Sequence, residues 1–271
     1  LLGSAAEADE RCNVALGVAR ELGNAASSAL AIGHAAILRQ IAGDDERARA
    51  HVEAQAQLDN EHGSATWQSF AAVVQAWSLA RRGQVEEGLD LLRQAMLDLQ
   101  AAGMAVFWPW VLGVHADLCR RAGQRAEAEA HLRAAIATSR RSGERVWEPG
   151  LLRKLGELLA ARASQPDAAD AASAADAANA DDAADSTVAG DTDAEGTPER
   201  CLVAAILLAR EQGSRVFERR AALALAALGV TSPEAAAVLA ESRERLADEA
   251  GEAGEASLEG RALEDPAPDD H

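Results

Sequence analysis

The sequence predicts an all-α fold, a right-handed α-α superhelix of stacked helix pairs with a period of 40 residues. Three observations predict it. Gly23, Gly63, Gly103 and Gly143 are spaced by 40 residues, and Gly43, Gly83 and Gly123 repeat that spacing halfway between them. The roughly 17 residues between stops are rich in Ala, Leu, Arg and Glu, which are strong helix formers. Strand signals are absent.

The two ladders punctuate the chain as helix, stop, helix, stop. Gly43, Gly83 and Gly123 each open a phrase with polar or acidic residues, as in Gly43-Asp44-Asp45-Glu46 and Gly123-Gln124-Arg125-Ala126-Glu127. A glycine past a helix end takes the left-handed conformation, and acids just beyond it suit the positive end of the next helix. Asn24, Ser64 and Ser214 follow stop glycines and read as N-caps. Each unit is then a pair of antiparallel helices that cannot bury its apolar face alone, so neighbours must stack. Columns of the repeat agree. Trp67, Phe107 and Trp147 share a column, continued by Phe217 beyond an insertion, and are predicted core; Ala36, Ala76, Ala116 and Gly156 share a small one. Leu92, Leu132 and Leu202 share another in the second helices.

In chain order, residues 1–164 are one helical-repeat array, elongated rather than globular. Residues 1–22 read as the second helix of a pair whose first helix is missing, so the protein is expected to continue upstream. Pro109 and Pro149, again 40 apart, fall early in a first helix, where a missing N–H costs least. Residues 165–197 hold nine acidic residues, no basic one and almost nothing to bury, and are predicted to be a disordered Ala/Asp-rich insert. Thr197-Pro198-Glu199 is a helix start, and residues 198–250 continue the array. Arg210-Glu211-Gln212-Gly213 echoes the segment ending at Gly143, 70 residues earlier, which places about 30 inserted residues in a turn between the two helices of one unit. Ser232-Pro233-Glu234 repeats the start signal, and residues 251–271 read as a disordered acidic tail. The array comes to five or six pairs, the first and last incomplete.

The net charge is −18, but most of it lies in the insert and the tail, leaving the array near neutral. That argues against direct nucleic-acid binding, which needs a basic surface. No apolar run is long enough to span a membrane. Cys12, Cys119 and Cys201 are isolated in spacing, as expected of buried thiols in a reducing, cytoplasmic setting.

Catalytic apparatus is not found: there is no phosphate loop and no Gly-x-Ser-x-Gly elbow. The chain is expected to be no enzyme and to hold no cofactor. His115 and Cys119 share a helical face, but zinc wants about four ligands and no second cluster completes the set, so no metal is expected. The unusual local feature is Phe107-Trp108-Pro109-Trp110, on a helix apolar on two sides. Two columns vary in kind along the array: Ser28, Gln68, Trp108, Glu148, and Ala35, Gln75, His115, Leu155. Columns without a consistent apolar demand are the better groove positions. Gln68, Gln75, Trp108, His115 and Glu148 are therefore the expected ligand-binding set.

Arg121-Ala122-Gly123-Gln124-Arg125-Ala126-Glu127-Ala128-Glu129-Ala130, with Leu132, Ala135 and the closing Ser142-Gly143-Glu144-Arg145, resembles tetratricopeptide-type units. So does Arg82-Gly83-Gln84-Val85-Glu86-Glu87-Gly88. The period exceeds the usual length of about 34 for that repeat. It looks more like the long-helix version in the C-terminal region of large bacterial regulators, which join an adenylate/guanylate cyclase or DNA-binding activator domain to an AAA-type ATPase module. Leu155-Gly156-Glu157-Leu158-Leu159, after Trp147-Glu148, is similar to their last units, although those have a short turn where this chain has its acidic insert. The resemblance spans about residues 5 to 229. It implies a non-catalytic region that recognises a protein, peptide or small-molecule inducer and contacts an upstream ATPase or cyclase module. The alternatives are a passive assembly scaffold, and a fragment of an ATP-binding cyclase whose active site lies outside this chain. No cyclase or ATPase motif occurs here, so no catalytic residue carries over.

Overall fold

The computed structural model of the chain describes residues 5–62, 65–164 and 196–246, and these are helical throughout apart from short connections. The elements are α1 (Ala5–Leu22), α2 (Ala25–Ala42), α3 (Asp45–His62), α4 (Ala65–Arg81), α5 (Val85–Ala101), α6 (Trp108–Arg121) and α7 (Arg125–Ser142). A 3-10 turn, Arg145–Trp147, leads into α8 (Glu148–Ser164); α9 (Pro198–Glu211), α10 (Arg215–Leu228) and a helix over 233–246, α11, follow. Gly63, Ser64, nearly all of the predicted insert and the whole acidic tail lie outside the described residues.

The helix ends follow from local chemistry. Gly43 has φ +83°; its N–H meets the Gln40 carbonyl at 3.0 Å, and the N–H of Asp44 reaches back to Arg39 at 3.0 Å. That closes two orphan carbonyls in a geometry only glycine adopts without strain. Gly23, Gly83, Gly103, Gly123, Gly143 and Gly213 share the positive φ. Asn24 caps α2 through Ser27 N–H (2.8 Å), and Thr197 caps α9 through Arg200 N–H (3.3 Å) with Pro198 in the first turn. Ser214 stands at the start of α10 without a side-chain capping bond, so it is not the cap the sequence suggested. Ser232 opens α11, its hydroxyl accepting from Ala235 N–H at 3.2 Å.

The helices pack in neighbouring pairs: α2 with α3, α4 with α5, α6 with α7, α8 with α9. The α8–α9 pair forms although residues 165–197 separate its members, which is the position the sequence assigned to an insertion within one unit. First helices also touch one another, α2 on α4 and α4 on α6.

Small residues accept the large side chains of the next unit. A Cβ on Gly33 would lie 2.3 Å from Trp67, and one on Gly113 would lie 2.7 Å from Leu151. At Gly150 it would meet Phe217 at 3.1 Å, and within the α8–α9 pair a Cβ on Gly156 would meet Leu202 at 2.9 Å. An aromatic chain follows the same seam. Trp67 packs on Phe70 (5.5 Å between ring centroids), Phe70 on Phe107 (5.6 Å), Phe107 on Trp147 (5.8 Å) and Trp147 on Trp110 (6.4 Å). Of the four predicted core aromatics, Trp147 and Phe217 are buried; Trp67 and Phe107 are half-buried against the same core. Phe107 also sits at φ +65°, the one non-glycine in the left-handed region among the described residues, and its N–H donates to Glu144 Oε2 at 2.9 Å.

The Gly33–Trp67 fit is checked by a double-mutant cycle. Gly33→Ala is expected to cost about 1–3 kcal/mol by overpacking against the indole. In a Trp67→Ala background the same change should be neutral or stabilising, because alanine is the better helix former. Equal costs in both backgrounds would mean the two residues do not meet.

Candidate functional site

A cleft of about 590 Å³ is lined mainly by α2, α4, α6, α8 and α10. Its apolar lining includes Trp77, Trp110, Trp147 and Phe217, each no more than 6% exposed. Above them stand six cations, Arg81, Arg120, Arg121, Arg153, Lys154 and Arg220, with two carboxylates, Asp117 and Glu157. The cleft is therefore basic in a chain whose net charge is −18.

The cations are held in different ways. Arg81 lies one turn after Trp77 on α4 and stacks its guanidinium 5.0 Å from the indole ring, a cation–π contact. Lys154 donates to Asp117 (2.7 Å) and to the Gly113 carbonyl (3.1 Å), joining α8 to α6. Arg153 pairs with Glu157 at 2.5 Å, while its buried Nε has no hydrogen-bond partner. Arg120 and Arg121 end α6 at the rim, where cations complement the helix dipole. Neither of them, nor Arg81, pairs with a carboxylate among the described residues.

Arg220 spans the cleft. From α10 it donates to the carbonyls of Ile41 (2.6 Å) and Ala42 (3.2 Å), the open C-terminal end of α2. Burial, then the neighbouring Arg153 charge, lowers its pKa from the ordinary value, against the pull of Glu157. The contact joins residues 178 and 179 positions apart, so the array is not the open, elongated one the sequence suggested. Gln40, beside that end, accepts a 3.0 Å hydrogen bond from the buried Trp110 indole.

None of the five predicted ligand-binding residues lines this cleft. Gln68 and Gln75 are exposed, Trp108 is half-buried, and His115 and Glu148 are buried. They do not form one open surface. The residues two positions on from four of them, Trp77, Trp110, Asp117 and Gly150, line the cleft. Two residues turn a helix by about 200°, so the predicted columns sit on the far side of the right helices. A sequence signal did exist, in the column Ile37, Trp77, Asp117, Glu157 and in Ile41, Arg81, Arg121.

Glu148 has a structural duty. It accepts from Arg140 of α7 at 2.6 Å and from Arg145 at 2.9 Å. Glu218, 70 residues on, pairs in the same way with Arg210 (3.1 Å) and accepts from Ser242 Oγ (2.9 Å). The two buried clamps tie a second helix to the first helix of the following unit.

His115 meets a partner that sequence spacing hid. His131 of α7 lies against it, with ring centroids 4.0 Å apart, and Cys119 Sγ stands 3.9 Å from Glu127 Oε2. Burial, then His131 and Arg93, bring the His115 pKa down to about 4. Burial, then Glu127, pushes the Cys119 thiol up to about 11. Burial lowers His131 as well, against Glu127. Burial in this cluster therefore favours neutral imidazoles and a protonated thiol. The second pair of ligand-type side chains that the sequence did not find comes from α7.

No protein-family model matches this chain, and no curated protein matches it. Among solved structures it is similar to the crystal structure of BtubC (BKLC) from P. vanneervenii, at 15% identity, over 99% of this chain and 96% of that one, with a TM-score of 0.50. At that identity the likeness concerns the fold alone. No described helix is long and apolar enough to cross a membrane.

Glu148→Ala is expected to destabilise the protein by about 1.5–3 kcal/mol, the worth of charge-assisted hydrogen bonds. The measurement is the denaturant midpoint at unchanged m-value. A shift under about 0.5 kcal/mol would mean the clamp carries no stability.

Proposed function

We propose that this chain is a non-catalytic binding region, a right-handed superhelix of tetratricopeptide-like pairs with a period of 40, whose cleft holds an acidic peptide segment of a partner protein. The observation that carries the reading is the cleft itself: indole faces beneath a rim of guanidinium groups, of which Arg81, Arg120 and Arg121 pair with no carboxylate among the described residues. Its volume falls within the usual range for ligand sites, about 300–1,000 Å³. Clustered arginines are the standard means of recognising acidic motifs. Aromatic walls take the apolar side chains between the acids.

Asp117 and Glu157 interrupt the basic wall. That suits a peptide whose charges are spaced, and opposes a phosphate backbone with a charge at every step. All three cysteines are buried and outside any disulfide among the described residues, in keeping with a reducing, cytoplasmic location. In a regulator of the kind the sequence resembles, occupancy of the cleft is relayed to an attached ATPase or cyclase module. The Arg220 bridge from α10 to α2 is the contact best placed to respond to a bound segment.

The test is fluorescence anisotropy with a labelled Glu/Leu-rich peptide, beside a Lys/Leu-rich peptide and oligo-dT. Binding on the order of 10 μM is expected for the acidic peptide only, weakening with salt. The double variant Arg81→Glu/Arg121→Glu should lose at least about tenfold. Both side chains sit at the rim, so the fold is expected to persist, with circular dichroism as the check. Tighter binding of oligo-dT, or an affinity untouched by the double variant, would overturn the reading.

A further inference from the structure

We propose that His115 and Cys119 of α6, with Glu127 and His131 of α7, bind one divalent transition-metal ion of the zinc class. The site lies apart from the basic cleft, none of whose lining residues belongs to it.

The geometry follows from the helix pair. His115 and Cys119 are four residues apart and share one face of α6; Glu127 and His131 are four apart and share one face of α7. The short connection after Gly123 turns the two faces toward each other. Ligand atoms of His115, Cys119 and His131 all lie within 4.8 Å of one another, and Glu127 reaches Cys119 at 3.9 Å. A tetrahedral zinc keeps nitrogen and sulfur donors about 3.5 Å apart, given bonds of about 2.0–2.3 Å. His115, Cys119 and His131 are already near that spacing, and binding draws the Glu127 carboxylate, which stands beside Cys119, in as the fourth donor.

His115 supplies the second observation. It is 9% exposed and its Nδ1 has no hydrogen-bond partner, a cost a buried imidazole seldom bears without reason. Two imidazoles, a thiolate and a carboxylate are borderline-soft ligands that favour zinc over calcium or magnesium. Glu127 is exposed and His131 half-buried, which gives the ion a way in.

Binding replaces the thiol proton: Cys119–SH and the dication give the metal thiolate and one released proton, with no change of oxidation state. A dication with one thiolate, one carboxylate and two neutral imidazoles sums to zero charge. Arg93 of α5 is the cation whose charge is felt at both His115 and Cys119; it is bonded to Asp90 at 2.8 Å. With four protein ligands the site is closed and structural, fastening α6 to α7.

The test uses the full chain stripped with a chelator. Cobalt(II) titration is expected to give intense visible d–d bands and a thiolate-to-metal charge-transfer band, saturating at one ion per chain. Zinc should displace the cobalt with a Kd tighter than about 1 μM. Cys119→Ser should abolish the charge-transfer band, whereas Cys12→Ser and Cys201→Ser should keep it. Because a core thiol variant can misfold, Glu127→Gln and His131→Ala serve as the second pair; each should weaken binding by at least about tenfold. Zinc should also raise the melting temperature of the parent and not of His131→Ala. No charge-transfer band in the parent, or an affinity equal to the parent's in Glu127→Gln or in His131→Ala, would overturn the proposal.

Discussion

Packing of a large side chain onto a glycine of the preceding unit is the constraint on which the structure depends. Trp67 occupies the place a side chain on Gly33 would fill, as Leu151 does at Gly113 and Phe217 at Gly150. An α-helix pair in this chain has too little apolar surface to close a core by itself, since much of its hydrophobic content is alanine. Close approach between successive first helices supplies the missing burial. It also brings the aromatic rings into one continuous chain from Trp67 to Trp147. The Arg140–Glu148 and Arg210–Glu218 clamps then fix how α7 meets α8 and how α9 meets α10.

The cleft is a consequence of that stacking. Once first helices are neighbours, the side chains on their shared inner side converge, and Trp77, Trp110, Trp147 and Phe217 become one apolar surface. Arg81, Arg120 and Arg121, at helix C-termini, are stabilised there by the helix dipoles and pair with no carboxylate among the described residues. Arg220 links the two ends of the surface by binding the terminal carbonyls of α2. The metal cluster has a different origin. It depends on the turn at Gly123, which folds two helical faces together within one unit.

Much of this was legible in the residues. The stop glycines and the caps at Asn24 and Thr197 come from local chemistry, which a short stretch of chain specifies, and the place of the insertion comes from the spacing of the repeat. The burial of Trp147 and Phe217 was legible too, because a large residue recurring in a column must pack. Their exposure to a cleft was not. Trp108 and Trp110 show why: two residues apart, they differ by about 200° around α6, and only Trp110 lines the cleft. Variation along a column marks a position outside the consistent core. It does not say on which side of the helix that position lies. His115 was read without His131 because the two are brought together across a helix pair rather than along one helix.

The sequence by itself determined that the chain is helical, where each helix stops, and which helices are consecutive partners, since these rest on backbone conformation, capping and the spacing of apolar residues. Tertiary structure alone decided which helical side faces inward, that α10 reaches back to α2, and that His115, Cys119, Glu127 and His131 meet. Those outcomes depend on the rotation and angle of one helix against another. Such quantities are set by interlocking side chains from different units, and no single stretch of chain encodes them.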